Sequence, residues 1–377
     1  MTIPFNKPFI SGNELRYIEE AVHSGKISGD GFFTMKCSNF FRDKFNFKFN
    51  FLTTSCTDAI ELASLLMEFE PGDEIIMPSF TFVSCANPFM LRNIKIIFAD
   101  SYPNHPNIDH TLIESLITKK TKAILIVHYG GVACNINYIK ELCDKYNLLL
   151  IEDCAHSIDS YYNKIPLGSF GDFSVFSFHE TKNINSGEGG LLVVNSEDLS
   201  SKAEIAREKG TNRSAFFRGE INKYEWVDLG SSYLPSDIIA AFLFAQLENL
   251  DLIQKRRIEI YFRYLENLQL KLTNLGIKFI EIPEFASING HVFYLICHNK
   301  KQADNLIQFL KNNSILAMFH YIPLHSSKFF KPYHDGRILK NCDNLSDCIV
   351  RLPLFFDLKN HEIDYISEKV LDFFESS

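Results

Sequence analysis

The sequence predicts an α/β protein: a large, mainly parallel sheet covered by helices on both faces, followed by a small C-terminal α/β domain. Three observations predict it. From Phe47 onward, short β-branched runs alternate with helix-length amphipathic segments. Those runs are apolar along their length rather than at every second residue, so neither face of the sheet is expected to meet water. Two long amphipathic stretches on either side of residue 250 then separate this alternation from a second, shorter one. A chain of 377 residues with 46% hydrophobic content is long enough for one large core with a smaller domain beside it. The division is expected at residues 1–250 and 251–377.

Residues 1–34 carry Pro, Asn and Gly signals around one amphipathic stretch, Gly12 to Ser24, with Leu15, Ile18, Ala21 and Val22 at helical spacing. Strands are expected at Asn50–Thr53, Glu74–Met77, Lys95–Ala99, Ala123–Val127, Leu148–Ile151, Phe173–Phe178 and Gly190–Val194. Helices fit between them at Thr57–Phe69, Ile136–Tyr146 and Ser196–Lys209. Pro235-Ser236-Asp237 opens a pair of long helices, Ile238–Leu250 and Leu252–Leu275, the second stopped by Gly276. The remainder alternates strands (Lys278–Ile280, His291–Cys297, Ala317–Phe319) with helices (Gln302–Asn312, Ile363–Phe374). No internal repeat or low-complexity linker interrupts the pattern.

A net charge of −8 gives no electrostatic case for nucleic acid, so any anionic ligand must be met locally. No run approaches the ~20 apolar residues of a membrane span, and the N-terminus lacks a signal-peptide core. The cytoplasm is therefore the expected compartment. Nine cysteines without a C-x-x-C pair form neither a disulfide framework nor a zinc signature, so they are expected reduced and packed as small apolar residues, and no metal site is expected.

In such a sheet, ligands gather at the carboxyl ends of the strands. Ser55, Phe82, Asp153 and Lys182 all follow strands or lie in the loops just after them. Lys182 sits in Ser177-Phe178-His179-Glu180-Thr181-Lys182-Asn183, between a strand and the turn Gly187-Glu188-Gly189-Gly190. A lysine amine is a poor nucleophile while solvated and protonated, and a strand end is where desolvation frees it. About thirty residues earlier, Ile151-Glu152-Asp153-Cys154-Ala155-His156 supplies a carboxylate at the end of an apolar strand. That pair suits pyridoxal phosphate: the lysine bonds the cofactor, and the carboxylate pairs with the pyridinium nitrogen so that the ring can take up electrons. Ser55-Cys56-Thr57 stands at a helix start, where unpaired N–H groups and hydroxyls suit the cofactor phosphate. The same hydroxyls would equally serve as plain N-caps.

With these motifs the chain resembles the sugar-nucleotide aminotransferases of the DegT/DnrJ/EryC1/StrS family, from Pro4-Phe5-Asn6-Lys7-Pro8 to Arg351-Leu352-Pro353-Leu354. It is most similar to the branch that makes dTDP-4-amino-4,6-dideoxygalactose. The shared stretches are Gly25-Lys26 through Gly29-Asp30-Gly31, Ser55-Cys56-Thr57, Pro78-Ser79-Phe80-Thr81-Phe82-Val83-Ser84 and Arg207-Glu208-Lys209-Gly210-Thr211-Asn212-Arg213-Ser214. The resemblance implies the fold type I architecture of aspartate aminotransferase, a homodimer, and Lys182 as the catalytic residue. It implies cofactor contacts from Ser55, Cys56, Thr57, Phe82 (stacked on the ring), Asp153, His156 and Ser177, and from Ser232 across the dimer interface. Cys56 stands where the family usually has glycine and Ser232 where many members have asparagine; the nearest branch shares both. Lys26, Asp30, Arg213, His320, Tyr321 and His325 are the implied substrate-binding residues, and His179 stays unassigned. Arg207, Lys209, Arg213, Arg218 and Lys223 add a basic cluster suited to a sugar diphosphate.

The implied substrates are a dTDP-linked 4-keto-6-deoxyhexose and L-glutamate, with dTDP-4-amino-4,6-dideoxy-D-galactose as product. Alternatives are the 4-amino-glucose epimer or another nucleotide-linked keto sugar. A sugar dehydratase of the same family would carry histidine in place of Lys182. A regulator fused to a DNA-reading domain is not expected, since no N-terminal segment is left for a winged helix.

Overall fold

Seven strands pair into one sheet in the computed structural model, which describes residues 2–375: β1 (Phe49–Thr53), β2 (Glu74–Pro78), β3 (Lys95–Ala99), β4 (Thr121–Val127), β5 (Leu149–Asp153), β6 (Phe173–Ser177) and β7 (Gly190–Val194). Their order is β1-β7-β6-β5-β4-β2-β3. Every neighbouring pair is parallel except those of β7, which runs antiparallel to both β1 and β6. β2 and β7 are buried at every position, as continuous apolar runs in a doubly covered sheet must be.

The covering helices are α1 (Glu14–His23), α2 (Phe32–Phe45), α3 (Cys56–Leu66), α4 (Ile136–Tyr146), α5 (Glu197–Arg207) and α6 (Asp237–Leu247). α4 shows the rule they follow: Ile136, Ile139, Leu142 and Cys143 form one buried stripe, and Asn147 closes the helix in the left-handed conformation at φ 52°. α7 (Leu250–Asn274) extends for about 37 Å. Its buried stripe runs from Leu250 through Ile253, Arg257, Ile260 and Tyr264 to Leu272. The second sheet is antiparallel, in the order β8 (Lys278–Phe279), β9 (Phe293–Ile296), β10 (Ile349–Leu352), and packs with α8 (Lys300–Asn312), α9 (Lys340–Cys348) and α10 (Asn360–Glu375). Ile3 joins this region through hydrogen bonds with Ser314 and Leu316.

Two expectations need correction. The strand expected at Ala317–Phe319 is reduced to a single bridge between Met318 and Arg351; Ile315 and Ala317 are buried, but Met318 and Phe319 stay exposed, so the alternation ends before a strand can extend. The sheet position goes instead to β10. Two helices are absent from the sequence reading, α9 and, closer to the large sheet, α2. Its aromatic-rich sequence is a poor helix former. Phe33, Cys37, Phe41 and Phe45 nevertheless line up four residues apart on a buried stripe. Its first turn is capped from a distance: Asp237 accepts from the Phe33 and Thr34 N–H groups at 3.1 and 2.8 Å and from Thr34 Oγ1 at 2.8 Å. Gly31 makes room, because a Cβ there would lie 2.4 Å from the Asp237 carboxyl carbon.

Candidate active site

The carboxyl ends of β1, β5 and β6 open onto a cavity of about 600 Å³. Lys182 lines it from the loop that joins β6 to β7. That loop is tied back on itself by Phe178 N–H to Gly189 O, Glu180 N–H to Gly187 O and Ser186 N–H to Phe178 O. Asn183 and Asn185 anchor it further, through Gln254 and Gln246 on the helices beneath. The lysine is therefore held by a closed hairpin rather than a mobile loop. Its amine has no hydrogen bond or ion pair among the described residues. Desolvation lowers its pKa from the ordinary lysine value, Cys56 and Asp153 oppose that shift, and Arg351 adds to it.

Asp153 reaches the cavity from the end of β5. Alternation along a strand sends Glu152 to the opposite face, where it accepts from His128, from the Gly168, Phe170 and Gly171 N–H groups, and from Ser174. Those bonds fix the strand end that carries Asp153. Asp153 itself is 5% exposed and accepts from Ala155 N–H at 2.9 Å and from the Cys85 thiol at 2.8 Å. A carboxylate has about four acceptor sites, so capacity is left toward the cavity.

At the head of α3, Ser55 accepts from Asp58 N–H at 3.0 Å and so is the N-cap. The capping role and the cradle coexist, since the N–H groups of Cys56 and Thr57 in the first turn have no acceptor within the helix. Thr57 Oγ1 and Ser84 Oγ lie 2.7 Å apart beside them, and Ser177 lines the same cavity. Gly190 is required here: a Cβ would meet the Ser55 carbonyl carbon at 2.4 Å and Cys56 N at 2.5 Å. The Cys56 thiol is held protonated by burial and by the Asp153 charge.

Phe82 lies at the rim, 55% exposed, with Tyr321 beside it at 6.1 Å between ring centroids. Three imidazoles form another wall. His156 stacks on His291 with centroids 4.2 Å apart, and His320 Nδ1 lies 2.5 Å from the Tyr129 hydroxyl. Desolvation, with Lys182 and Arg351 adding to it, holds His156 well below the usual histidine range; His291 and His320 are lowered chiefly by desolvation too. His156 Nδ1 accepts from Gly130 N–H at 3.2 Å, which leaves the ring proton on Nε2. All three rings are neutral near pH 7.

These residues fit pyridoxal phosphate. A helix N-terminus with free N–H groups and hydroxyls suits a phosphate dianion, the unpartnered Lys182 amine suits an aldehyde, and Asp153 suits a ring N–H.

Of the residues picked from sequence, Ser55, Cys56, Thr57, Phe82, Asp153, His156, Ser177, Lys182, His320 and Tyr321 line this one cavity, and so does His179. Lys26, Asp30, Arg213, Ser232 and His325 do not. His325 is a structural tie, with Nδ1 2.7 Å from Ser79 Oγ and its own N–H donating to that oxygen. Lys26 Nζ donates to Asp30 O, and both carboxylate oxygens of Asp30 accept from Arg207 Nη2, at 2.7 and 2.8 Å. Within the basic cluster Arg218 is likewise taken, by Glu204 and Glu220. Cys85, His291, Arg257 and Arg351 also line the cavity but were not picked. Only Arg351 carries a sequence signal, a lone charge within the apolar run Ile349-Val350-Arg351-Leu352.

The chain matches the DegT/DnrJ/EryC1/StrS aminotransferase family over residues 8–371. It is 30% identical to the spore coat polysaccharide biosynthesis protein SpsC of Bacillus subtilis (strain 168), over 98% of this chain and 96% of that protein. It is 28% identical to GDP-perosamine synthase of Escherichia coli O157:H7, over 99% of this chain and 98% of that one. Its fold matches the crystal structure of the aminotransferase TlmJ from Streptoalloteichus hindustanus with a TM-score of 0.90 at 24% identity, covering 100% of both chains. The architecture is that of the pyridoxal-phosphate-dependent aminotransferases. The chain belongs to the DegT/DnrJ/EryC1/StrS aminotransferase family, and is a pyridoxal-phosphate-dependent sugar aminotransferase.

Proposed function

We infer that this enzyme moves the amino group of L-glutamate onto the 4-keto carbon of dTDP-4-keto-6-deoxyglucose, giving dTDP-4-amino-4,6-dideoxy-D-galactose and 2-oxoglutarate. The observation that carries the reading is the convergence of an unpartnered, desolvated Lys182 amine and a buried Asp153 carboxylate on one cavity. When bound, pyridoxal phosphate supplies the electron sink for the C–H bonds broken and made. The chain supplies the rest. Ser55, Cys56, Thr57 and Ser177 hold the phosphate end, Phe82 covers the ring, and Asp153 faces its nitrogen. Lys182 Nζ would carry a proton between the reacting substrate carbon and the cofactor's C4′, off the donor carbon in one half-reaction and onto the sugar carbon in the other. His156 and His320, neutral and fixed by hydrogen bonds, shape the wall without adding a second cation.

Lys26, Asp30, Arg213 and Ser232 lie outside the cavity of their own protomer, and this reading assigns them to the site of a second copy in a homodimer. The dTDP-linked sugar is supported by the stretches Gly25 to Thr34 and Glu208 to Ser214, which resemble the branch making the 4-amino-galactose. A cell-surface glycan as destination is supported by the relative named for spore coat polysaccharide biosynthesis. A second reading, a GDP-linked keto sugar, is favoured by the relatives named GDP-perosamine synthase.

The test is incubation with dTDP-4-keto-6-deoxyglucose and L-glutamate, followed by NMR of the product. A small coupling between the C3 and C4 protons means an axial amine and the galacto product. A large diaxial coupling would replace it with the gluco epimer. No product from this sugar, with turnover of a GDP-linked one, would establish the second reading.

A further inference from the structure

Phe82, Ser84 and Cys85 sit together in the loop after β2, on the one-turn 3₁₀ helix Val83–Cys85 and the residue before it, and all three line the cavity. Phe82 is assigned above to the ring, and Ser84 Oγ stands 2.7 Å from Thr57 Oγ1 at the phosphate end. Cys85 faces a third group. Its side chain is 1% exposed, and Sγ lies 2.8 Å from Asp153 Oδ2. A carboxylate only accepts, so the thiol is the donor. With its single proton spent there, the 3.0 Å contact between Thr81 Oγ1 and Cys85 Sγ runs from hydroxyl to sulfur. The result is a directed chain, Thr81 O–H to Cys85 S–H to Asp153 Oδ2, in which each link polarises the next. Burial, with the Asp153 charge adding to it, pushes the thiol well above the usual cysteine range, so it keeps the proton it donates.

Asp153 therefore has one protein donor on each oxygen: Ala155 N–H on Oδ1 at 2.9 Å and Cys85 on Oδ2. Both are needed to set the carboxylate plane. The last torsion of an aspartate joins an sp³ to an sp² carbon and has a broad minimum, so one donor leaves the plane free to swing. Ala155 lies two residues on and moves with the end of β5. Cys85 comes from 68 residues away, and its bond ties that carboxylate to the loop after β2. Orientation matters here because a small misplacement of a group that faces the reacting system costs far more in rate than in binding.

We propose that Cys85 is a positioning residue for the reaction, its thiol, backed by the Thr81 hydroxyl, fixing the plane of the Asp153 carboxylate against the cofactor's ring nitrogen. This rests on the ring contact of Asp153 proposed above. The test compares the cofactor-loaded enzyme with Cys85→Ala and Cys85→Ser, each made again in an Asp153→Asn background. Cys85→Ala should lower turnover about tenfold, with KM for both substrates within about twofold of the parent. Cys85→Ser keeps a donor and should restore turnover to within about threefold. In the Asp153→Asn background Cys85→Ala should cost less than about twofold more, because it acts through a charge no longer present. A second readout does not involve turnover: the infrared S–H stretching band of Cys85 in the cofactor-free chain, isolated by subtracting the Cys85→Ser spectrum. It should lie below the bands of the other thiols and move up in Asp153→Asn. Thr81→Val should move it part of the way, and carries the comparison if Cys85→Ala does not fold. A loss that Cys85→Ser fails to restore, or one repeated in full in the Asp153→Asn background, would make Cys85 a packing residue and overturn the proposal. An S–H band unmoved by Asp153→Asn would overturn it too. Near-normal turnover in Asp153→Asn alone refutes the ring contact, and the proposal with it, a result that no outcome of the Cys85 variants imitates.

Discussion

Desolvation does much of the chemical work at single residues. Burial lowers the pKa of Lys182, the proposed proton carrier, while the Asp153 carboxylate is clasped by Ala155 N–H and the Cys85 thiol. Asp153→Asn retains the shape of the carboxylate but removes its charge. Turnover should fall by about two orders of magnitude or more, with KM for both substrates changing far less; near-normal turnover would remove Asp153 from the ring contact. Burial acts on stability as well. His105 is pushed down to about 3 by desolvation, so it stays neutral in the folded chain while the unfolded chain protonates near the ordinary 6.5. The unfolded state then binds more protons below pH 6.5, and stability is lost as pH falls from there toward 3. At pH 5 the loss from this residue is about 2 kcal/mol. His105→Asn keeps an acceptor for Asn107 N–H, which His105 Nδ1 now serves at 3.0 Å, and removes the titration. Denaturant unfolding at pH 7 and pH 5 should show a smaller acid loss in the variant; equal losses would contradict it. Lys182 and Asp153 were legible because each sits at a strand end within a motif. Cys85 was not, because its contact with Asp153 spans 68 residues of sequence and no local pattern announces it.

Among the elements, legibility follows periodicity. α4 was read to its boundaries because its apolar stripe and its closing Asn147 are local signals. The sheet strands were read within two residues at either end, since a strand buried on both faces is a continuous apolar run. α2 and β10 were missed for tertiary reasons. β10 is interrupted by Arg351, whose charge breaks the apolar run that would mark a strand. α2 depends on Asp237, far along the chain, for its first-turn acceptors. Asp237→Ala should therefore cost about 2 kcal/mol, more than a solvent-exposed cap would, because buried N–H groups are left unpaired. A change below about 0.5 kcal/mol in denaturant unfolding would show that α2 does not need that cap.

At the scale of the whole molecule, one protomer leaves Phe217, Leu229 and Trp226 well exposed, the last at 77%. They lie on the segment after α5 that also bears Arg213 and Ser232, the residues assigned here to a second copy's site. Exposed large apolar side chains on one segment are the mark of an interface. Trp226 is the chain's single tryptophan, so its fluorescence reports this surface alone. At micromolar concentration, sedimentation should give a dimer, and iodide should quench Trp226 far less than in denaturant; a monomer with fully quenchable fluorescence would refute the shared site. Trans contributions of the kind proposed here leave no mark in a single chain's periodicity, so Lys26, Asp30 and Ser232 were chosen by resemblance, and Arg213 by resemblance and its basic neighbours. What does not depend on the partner is the position of the lysine. Borohydride reduction of the cofactor-loaded enzyme, followed by peptide mass mapping, should place the pyridoxyl group on Lys182, and Lys182→Ala should lose both the label and turnover while keeping its fold. A pyridoxyl group found on any other lysine would contradict the assignment of this cavity as the active site.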